Sequence, residues 1–201
     1  MASTTSDKIA LKIVRLSFAR LFVPRAFKED QDPRYEGSFL LDPSDKQHKR
    51  VIDKIIEYAN DLIEEQWDGK TPGSFEAGFQ YADGETAIEL GSNGFKWRGK
   101  PKEYDGYKGM FVISSSNTTR PTVVDRDRSP LTEADGRPYS GSFVNGSITL
   151  WVQDNKYGKR INANLRAVQF VSDGEAFGVR PADAEEEFEV LDGDEADDFL
   201  D

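Results

Sequence analysis

The sequence predicts a mainly β chain: a small sheet closed into a barrel, one amphipathic helix packed on it, and an acidic tail. Three observations carry that expectation. The first long apolar alternation shifts phase by one residue, a single stretch has helical periodicity, and the negative charge of the chain is concentrated at its end. The length of 201 residues suits one globular domain with an extension, and a chain of that size can bury a core unaided.

In the first strand Ile9, Leu11 and Ile13 alternate with Ala10 and Lys12, and the phase then moves to Val14, Leu16 and Phe18. A slip of one residue inside a long alternation predicts a bulged, strongly curved strand, as used where a small sheet closes on itself. A basic-aromatic stretch from Arg20 to Lys28 leads to a second strand over Tyr35 to Leu41. The helix follows. Asp42-Pro43-Ser44-Asp45 offers an N-cap, a proline at the first helical position and an acid in the first turn. Ile52, Ile55, Ile56, Ala59, Leu62 and Ile63 then recur at helical spacing up to Trp67, and Asp68-Gly69 ends the run. His48 reads as a solvent-facing residue of this helix.

Short strand-like runs separated by Gly, Asn and Asp fill the rest: Phe75 to Tyr81, Ala87 to Leu90, Gly109 to Ser114, Ser147 to Gln153 and Ile161 to Val171. The last two form a hairpin about the turn Asp154 to Gly158. Ile148, Leu150 and Val152 share one face, with Trp151 on the other. Ile161, Ala163, Leu165, Ala167 and Gln169 share a face in the next strand, with Asn162, Asn164, Arg166 and Val168 turned away.

The net charge of −11 averages two unlike regions. Residues 1–182 hold 26 acids and 26 bases, and the 11 surplus acids all lie beyond Arg180. The neutral body leaves a polyanionic ligand open. The folded domain is expected over 1–181. Residues 182–201 form an acidic tail that, with few apolar residues to offset ordering entropy, is expected to be disordered.

Several chemistries are excluded. With no cysteine there is no disulfide framework, thiolate metal site or cysteine nucleophile, and one histidine cannot build a triad or a multi-histidine metal site. No cofactor is expected. No apolar run reaches the roughly 20 residues of a membrane span, and the N-terminus lacks a signal-peptide core, so a cytoplasmic chain without membrane contact is expected.

Residues 95–108 interleave Lys96, Arg98, Lys100, Lys102 and Lys108 with Phe95, Trp97, Tyr104 and Tyr107, among glycine and proline. Single-stranded nucleic acid asks for this mixture, cations for phosphates and exposed ring faces on which bases stack. The competing reading is a solvated loop whose aromatics plug the sheet beneath. A second basic group, Arg120, Arg126 and Arg128, either extends the phosphate track or forms surface ion pairs with Asp125 and Asp127. Those two carboxylates, two apart, could also share a divalent cation, which the flanking arginines oppose. The hairpin tip adds Lys156, Tyr157, Lys159 and Arg160 beside Trp151, itself either a stacking platform or a cover for the helix. In the tail, Asp197-Asp198-Phe199-Leu200-Asp201 sets an apolar pair in an acidic run, suited to a basic-rimmed apolar pocket on a partner and able to compete with nucleic acid for the body's cations.

The combination of Tyr104-Asp105-Gly106-Tyr107, Ser114-Ser115-Ser116-Asn117, Arg120-Pro121-Thr122-Val123-Val124-Asp125, Gly141-Ser142-Phe143-Val144-Asn145-Gly146, and Asn164 to Phe170 with Asp173-Gly174-Glu175 resembles a bacteriophage single-stranded DNA-binding protein family. The resemblance spans most of residues 7–180 and is strongest from Tyr104 onward. It implies an OB-fold, a Greek-key barrel of about five strands elaborated by the helix and long loops. It also implies a role in phage DNA replication, recombination or repair, without catalysis. The tail is similar in composition to those of phage and bacterial single-strand binders, but ends Phe199-Leu200-Asp201.

The expected function is therefore binding of single-stranded DNA with little sequence preference, in the host cytoplasm, by a monomer or homodimer. The expected contacts are Lys96, Trp97, Arg98, Lys100, Lys102, Tyr104, Tyr107 and Lys108, with Arg120, Arg126, Lys159 and Arg160 further out. Duplex DNA stays open as a further ligand, since phosphate contacts do not require single strands. The tail is expected to recruit replication or recombination proteins. Two rivals remain: a metal-dependent transferase or nuclease using Asp125 and Asp127, and an interaction module working through the tail alone.

Overall fold

The structure, a computed structural model, describes residues 5–26 and 31–178. The tail and the domain boundary near Pro181 lie outside the described residues.

The first strand, β1 (Ile9–Arg25), bends as its sequence phase requires. Ile9 and Leu11 point inward, Ile13 steps out of the ladder, and Val14 and Leu16 point inward again. Ile13 adopts φ 52°, and its backbone N–H, lost to the ladder, donates to Asn145 Oδ1 at 3.0 Å. A second break that the alternation did not announce falls at Phe18, φ 49°, which turns its ring outward. The two breaks let one strand serve two neighbours. Its first half pairs with β9 (Phe143–Asn155) and its second half with β2 (Arg34–Leu41).

From β2 the chain passes through helix α1 (Lys46–Trp67), then β3 (Phe75–Ala77), β4 (Phe79–Tyr81), β5 (Ile88–Leu90) and β6 (Phe95–Trp97). It continues through β7 (Phe111–Asn117), β8 (Thr122–Val124), a 3₁₀ turn at Glu133–Asp135, β9 and finally β10 (Gly158–Ser172). The ring closes as β1–β2–β7–β10–β9–β1, with all neighbours antiparallel except β7 and β10. A five-stranded Greek-key barrel of this kind is the OB architecture.

The β7–β10 seam is short, with direct pairing only at Ala163↔Ser115 and Asn164↔Ser116. Beyond it the two strands splay, and residues 75–81 fill the gap. There β3 pairs with β10 and β4 with β7, and Gly78 bonds both sides, its N–H to Ile161 O and its carbonyl to Ser114 N–H, each at 2.8 Å. A Cβ at Gly78 would sit 3.2 Å from Ser114 O and 3.4 Å from Ala163 N, so the bridge admits no side chain without shifting.

The expected alternation of β10 needs correction. Ile161, Ala163 and Leu165 are buried, but the register with β9 slips between Leu165 and Ala167, so Val168 and Phe170 are buried next. The extra residue, Arg166, is exposed, and the flip turns Val168 into the core rather than away from it.

Helix α1 begins one turn later than the proline suggested. Asp45 is the cap, accepting from the N–H groups of Gln47 (2.8 Å) and His48 (2.9 Å), whereas Asp42 accepts from Ser44 and shapes the preceding turn. Ile52, Ile55, Leu62 and Ile63 are buried, each burial contributing about 1.5–3 kcal/mol. His48 is not a free surface residue. It accepts from Asp42 N–H through Nδ1 (3.1 Å) and reaches Lys12 O through Nε2 (3.2 Å), a pattern that places its proton on Nε2 and ties the helix to β1. At the far end Asp68 takes the left-handed C-cap conformation, and the Trp67 indole donates to Asp154 Oδ2 at 2.7 Å. The strand β6, unforeseen in the basic-aromatic stretch, pairs with β5 in a separate ribbon.

Candidate nucleic-acid interface

The two-residue period of the barrel strands puts apolar residues inside and leaves a polar row outside. On β2 the outward row is Arg34, Glu36 and Ser38; on β7, Ser114 and Ser116; on β9, Trp151 and Gln153; on β10, Arg160 and Asn162. These rows form the floor and one wall of a cleft of about 1040 Å³. Phe18 and Tyr104 stand on its rim, ring centroids 5.2 Å apart and nearly perpendicular, and the β9–β10 hairpin carries Tyr157, 80% exposed, at its tip. The strand 2–3 face and the loop between strands 4 and 5 are where OB barrels hold oligonucleotides, and β2, β7 and the β9–β10 turn occupy those places here.

The cleft is a cationic site with incompletely used donors. Arg34 Nη1 donates to Ser116 Oγ at 3.0 Å. Arg20 Nη1 lies 3.6 Å from Glu36 Oε2, and this buried nitrogen meets no hydrogen-bond partner. Arg160 Nη1 pairs with Glu76 at 3.2 Å, while its buried Nε is likewise unmatched. Burial, and then the Arg160 guanidinium, hold the Lys102 ammonium below the usual lysine range. Burial pushes the Glu36 carboxyl up, an effect that Arg20, Arg25 and Arg34 offset in part. N–H groups without a hydrogen-bond partner, beside flat rings, can take phosphates and unstacked bases together.

The expected contacts divide in this geometry. Lys102, Tyr104 and Arg160 line the cleft; Tyr104 is 54% exposed. Trp97 and Tyr107 correct the expectation of exposed rings, because both do the plugging that was the competing reading. Trp97 packs edge-on against Phe75 and donates its indole N–H to Phe79 O at 2.8 Å. Tyr107, 1% exposed, packs with Leu40, Ala82 and Val112. Lys96, Arg98, Lys100 and Lys108 are exposed but do not line the cleft, and Arg98 Nε donates to Glu85 O at 2.9 Å. Arg120 lies over the Phe22 ring at 5.7 Å, Arg126 is exposed on its loop, and Lys159 faces Asp154 at 3.7 Å.

Asp125 and Asp127 have separate partners. Asp125 Oδ2 accepts from Arg137 at 2.7 Å, and Asp127 Oδ1 accepts from the Ser129 hydroxyl and N–H, which hold its carboxyl below the usual range. Trp151, open between two roles in the sequence, lines the cleft. Phe18, Arg34, Glu36 and the serine row were missed. The alternation Arg34-x-Glu36-x-Ser38 and Ser114-x-Ser116 carried a signal for a polar outer face. For Phe18 there was none, since only its backbone conformation turns it outward.

Comparison with known proteins bears on the family and the fold. The family described as "Enterobacter phage Enc34, ssDNA-binding protein" matches residues 7–200. Protein p50 of Acyrthosiphon pisum secondary endosymbiont phage 1 is 38% identical over 194 residues, covering 96% of this chain and 98% of the relative. The solved single-stranded DNA-binding protein of bacteriophage Enc34, in complex with ssDNA, superposes with a TM-score of 0.65 at 29% identity, covering 85% of this chain and 89% of that one. A single-stranded DNA-binding protein encoded by bacteriophage T7 shares the fold, with a TM-score of 0.53 at 15% identity over 91% of this chain and 95% of the other. With a match running nearly from end to end, the chain belongs to the Enterobacter phage Enc34 ssDNA-binding protein family.

Proposed function

We propose that this protein binds single-stranded DNA in the cleft between β2, β7 and the β9–β10 hairpin, without sequence preference and without catalysing a reaction. One observation carries the reading. Arg20, Arg34, Lys102 and Arg160, two of them with unmatched buried N–H groups, share a groove with the rings of Phe18, Tyr104, Trp151 and Tyr157. Phosphates would take the cations and bases the ring faces, and neither contact depends on which base is present. Lys96, Arg98, Lys100, Lys108, Arg120, Arg126 and Lys159 remain in the proposal as outer phosphate contacts. Family membership supports the reading, since a relative has been solved with ssDNA. The biological setting is phage DNA replication, recombination or repair in the host cytoplasm, with the tail from Asp197 to Asp201 recruiting partner proteins.

The test is tryptophan fluorescence during titration with oligothymidylate over a salt series. Trp67 and Trp97 have hydrogen-bonded indoles packed against the core, so Trp151 is the reporter in the cleft. Binding is expected to quench, and affinity to fall with a logarithmic salt slope of about −0.7 per phosphate contacted. Trp151→Ala is expected to remove most of the quenching and weaken binding by about 1–3 kcal/mol. Saturable binding with full quenching in that variant, or no binding by the wild type, overturns the assignment.

A further inference from the structure

The outward row of β2 carries a group that does not belong in a phosphate site. Glu36 sits in the outward row of β2 between Arg34 and Ser38, its side chain only 16% exposed, with its carboxylate 3.6 Å from Arg20 Nη1. That ion pair lacks hydrogen-bond geometry, because Arg20 Nη1 has no hydrogen-bond partner. A carboxylate placed for structural gain would be expected to satisfy the buried donor beside it. Arg34, whose side chain follows the same row, spends its Nη1 on Ser116 instead.

We propose that Glu36 is a built-in competitor for DNA phosphates, its carboxylate neutralising Arg20 in the free protein and opposing any phosphate that comes to that guanidinium. The inference rests on the binding site proposed above and adds what limits affinity there. A phosphate at Arg20 brings a second anion within a few ångströms of Glu36, in a site already partly desolvated. Either the carboxylate turns away or it takes up a proton.

The sign follows from the surroundings. Arg20 and Arg25 reach Glu36 from β1 and Arg34 from β2, all favouring its charged form, while burial favours the neutral one. Ser116 stands opposite on β7, and Asp32 and Lys102 line the same cleft. The Glu36 carboxyl is already held above the usual range in the free protein, and an arriving phosphate raises it further. Binding is therefore linked to proton uptake, and affinity rises as pH falls toward the titration range of Glu36.

The experiment compares wild type, Glu36→Gln and Glu36→Ser with twenty-residue oligothymidylate and oligocytidylate from pH 8 to pH 5.5 at fixed salt and over a salt series at pH 8, with melting temperature recorded for each. At pH 8 both variants are expected to bind about threefold to tenfold more tightly, the effect of removing one like charge a few ångströms from a phosphate. Their salt slope is expected to steepen by up to about 0.7, one phosphate more. Wild-type affinity is expected to increase on acidification, and that increase to shrink in both variants. Equal or weaker binding by folded variants, or an unchanged pH profile, overturns the inference and leaves the binding site standing. Absence of binding in all three proteins overturns the functional reading itself. A loss confined to oligocytidylate would make Glu36 an acceptor for a base amino group and overturn its role as competitor.

Discussion

Tyr104 and Tyr107 are three positions apart in one loop and have opposite surroundings, ring centroids 5.2 Å from each other. Tyr104 stands on the cleft rim against Phe18, and Tyr107 fills the apolar patch beneath the loop. Burial pushes the Tyr107 phenol up, with the Ser17 and Ser38 hydroxyls offsetting part of the rise, but its oxygen has no partner at hydrogen-bond geometry. Removing that hydroxyl therefore costs little, and Tyr107→Phe is expected to melt near the wild type. Tyr107→Ala opens a cavity and is expected to lose about 3 kcal/mol in chemical denaturation. Tyr104→Ala is expected to do the reverse, leaving stability within about 0.5 kcal/mol and weakening oligothymidylate binding by about 1–3 kcal/mol. Loss of stability in Tyr104→Ala with binding intact would exchange the two assignments. Composition alone cannot separate these tyrosines, because the stretch offers the same ring at both positions and only the packing of the loop onto Leu40 and Val112 decides which is hidden.

At the scale of elements, the bends of β1 set both the barrel and the cleft. Ile13 holds a left-handed backbone conformation that β-branched residues adopt only under strain, and its side chain is 56% exposed. Asparagine tolerates that conformation far better, so Ile13→Asn is expected to raise stability by up to about 1 kcal/mol, read as a higher melting temperature. A fall of similar size would mean that the exposed side chain contributes packing that burial does not register. The first bend was legible because it broke an alternation. The second was hidden because Phe18 itself continues the alternation of Val14 and Leu16, and the slip at Arg166 was masked because Ala167 and Gln169 could continue either phase. The helix was legible from its stripe of isoleucines, but its start was displaced, since Asp42 and Asp45 are equally good caps and only the turn closed by Ser44 selects the later one.

For the whole molecule, the barrel, the helix and the hairpin could be read from periodicity, whereas the cleft could not, because it sets the hairpin beside β2 and β7, which lie far from it and from each other in sequence. Of the cationic stretch at residues 95–108, only Lys102 and Tyr104 reach it. The charge division was legible throughout, and it makes a prediction at this scale. A chain ending at Ala182 loses 11 surplus acids and becomes formally neutral. It is expected to retain or tighten single-strand binding, most visibly at low salt, and weaker binding in a fluorescence titration would count against competition between tail and DNA. The last described residues are fastened to the body on two sides. Arg15 lies between the Phe143 and Phe177 rings, at 4.9 and 4.6 Å, and donates to Gly141 O and Glu175 O. Phe177 in turn packs on the same apolar patch as Tyr107, and Gly178 N–H reaches Asp105 in the loop that carries Tyr104. The last described residues and the aromatic rim of the cleft are thus set by one shared group of contacts, so a substitution at Phe177 is felt at Tyr104.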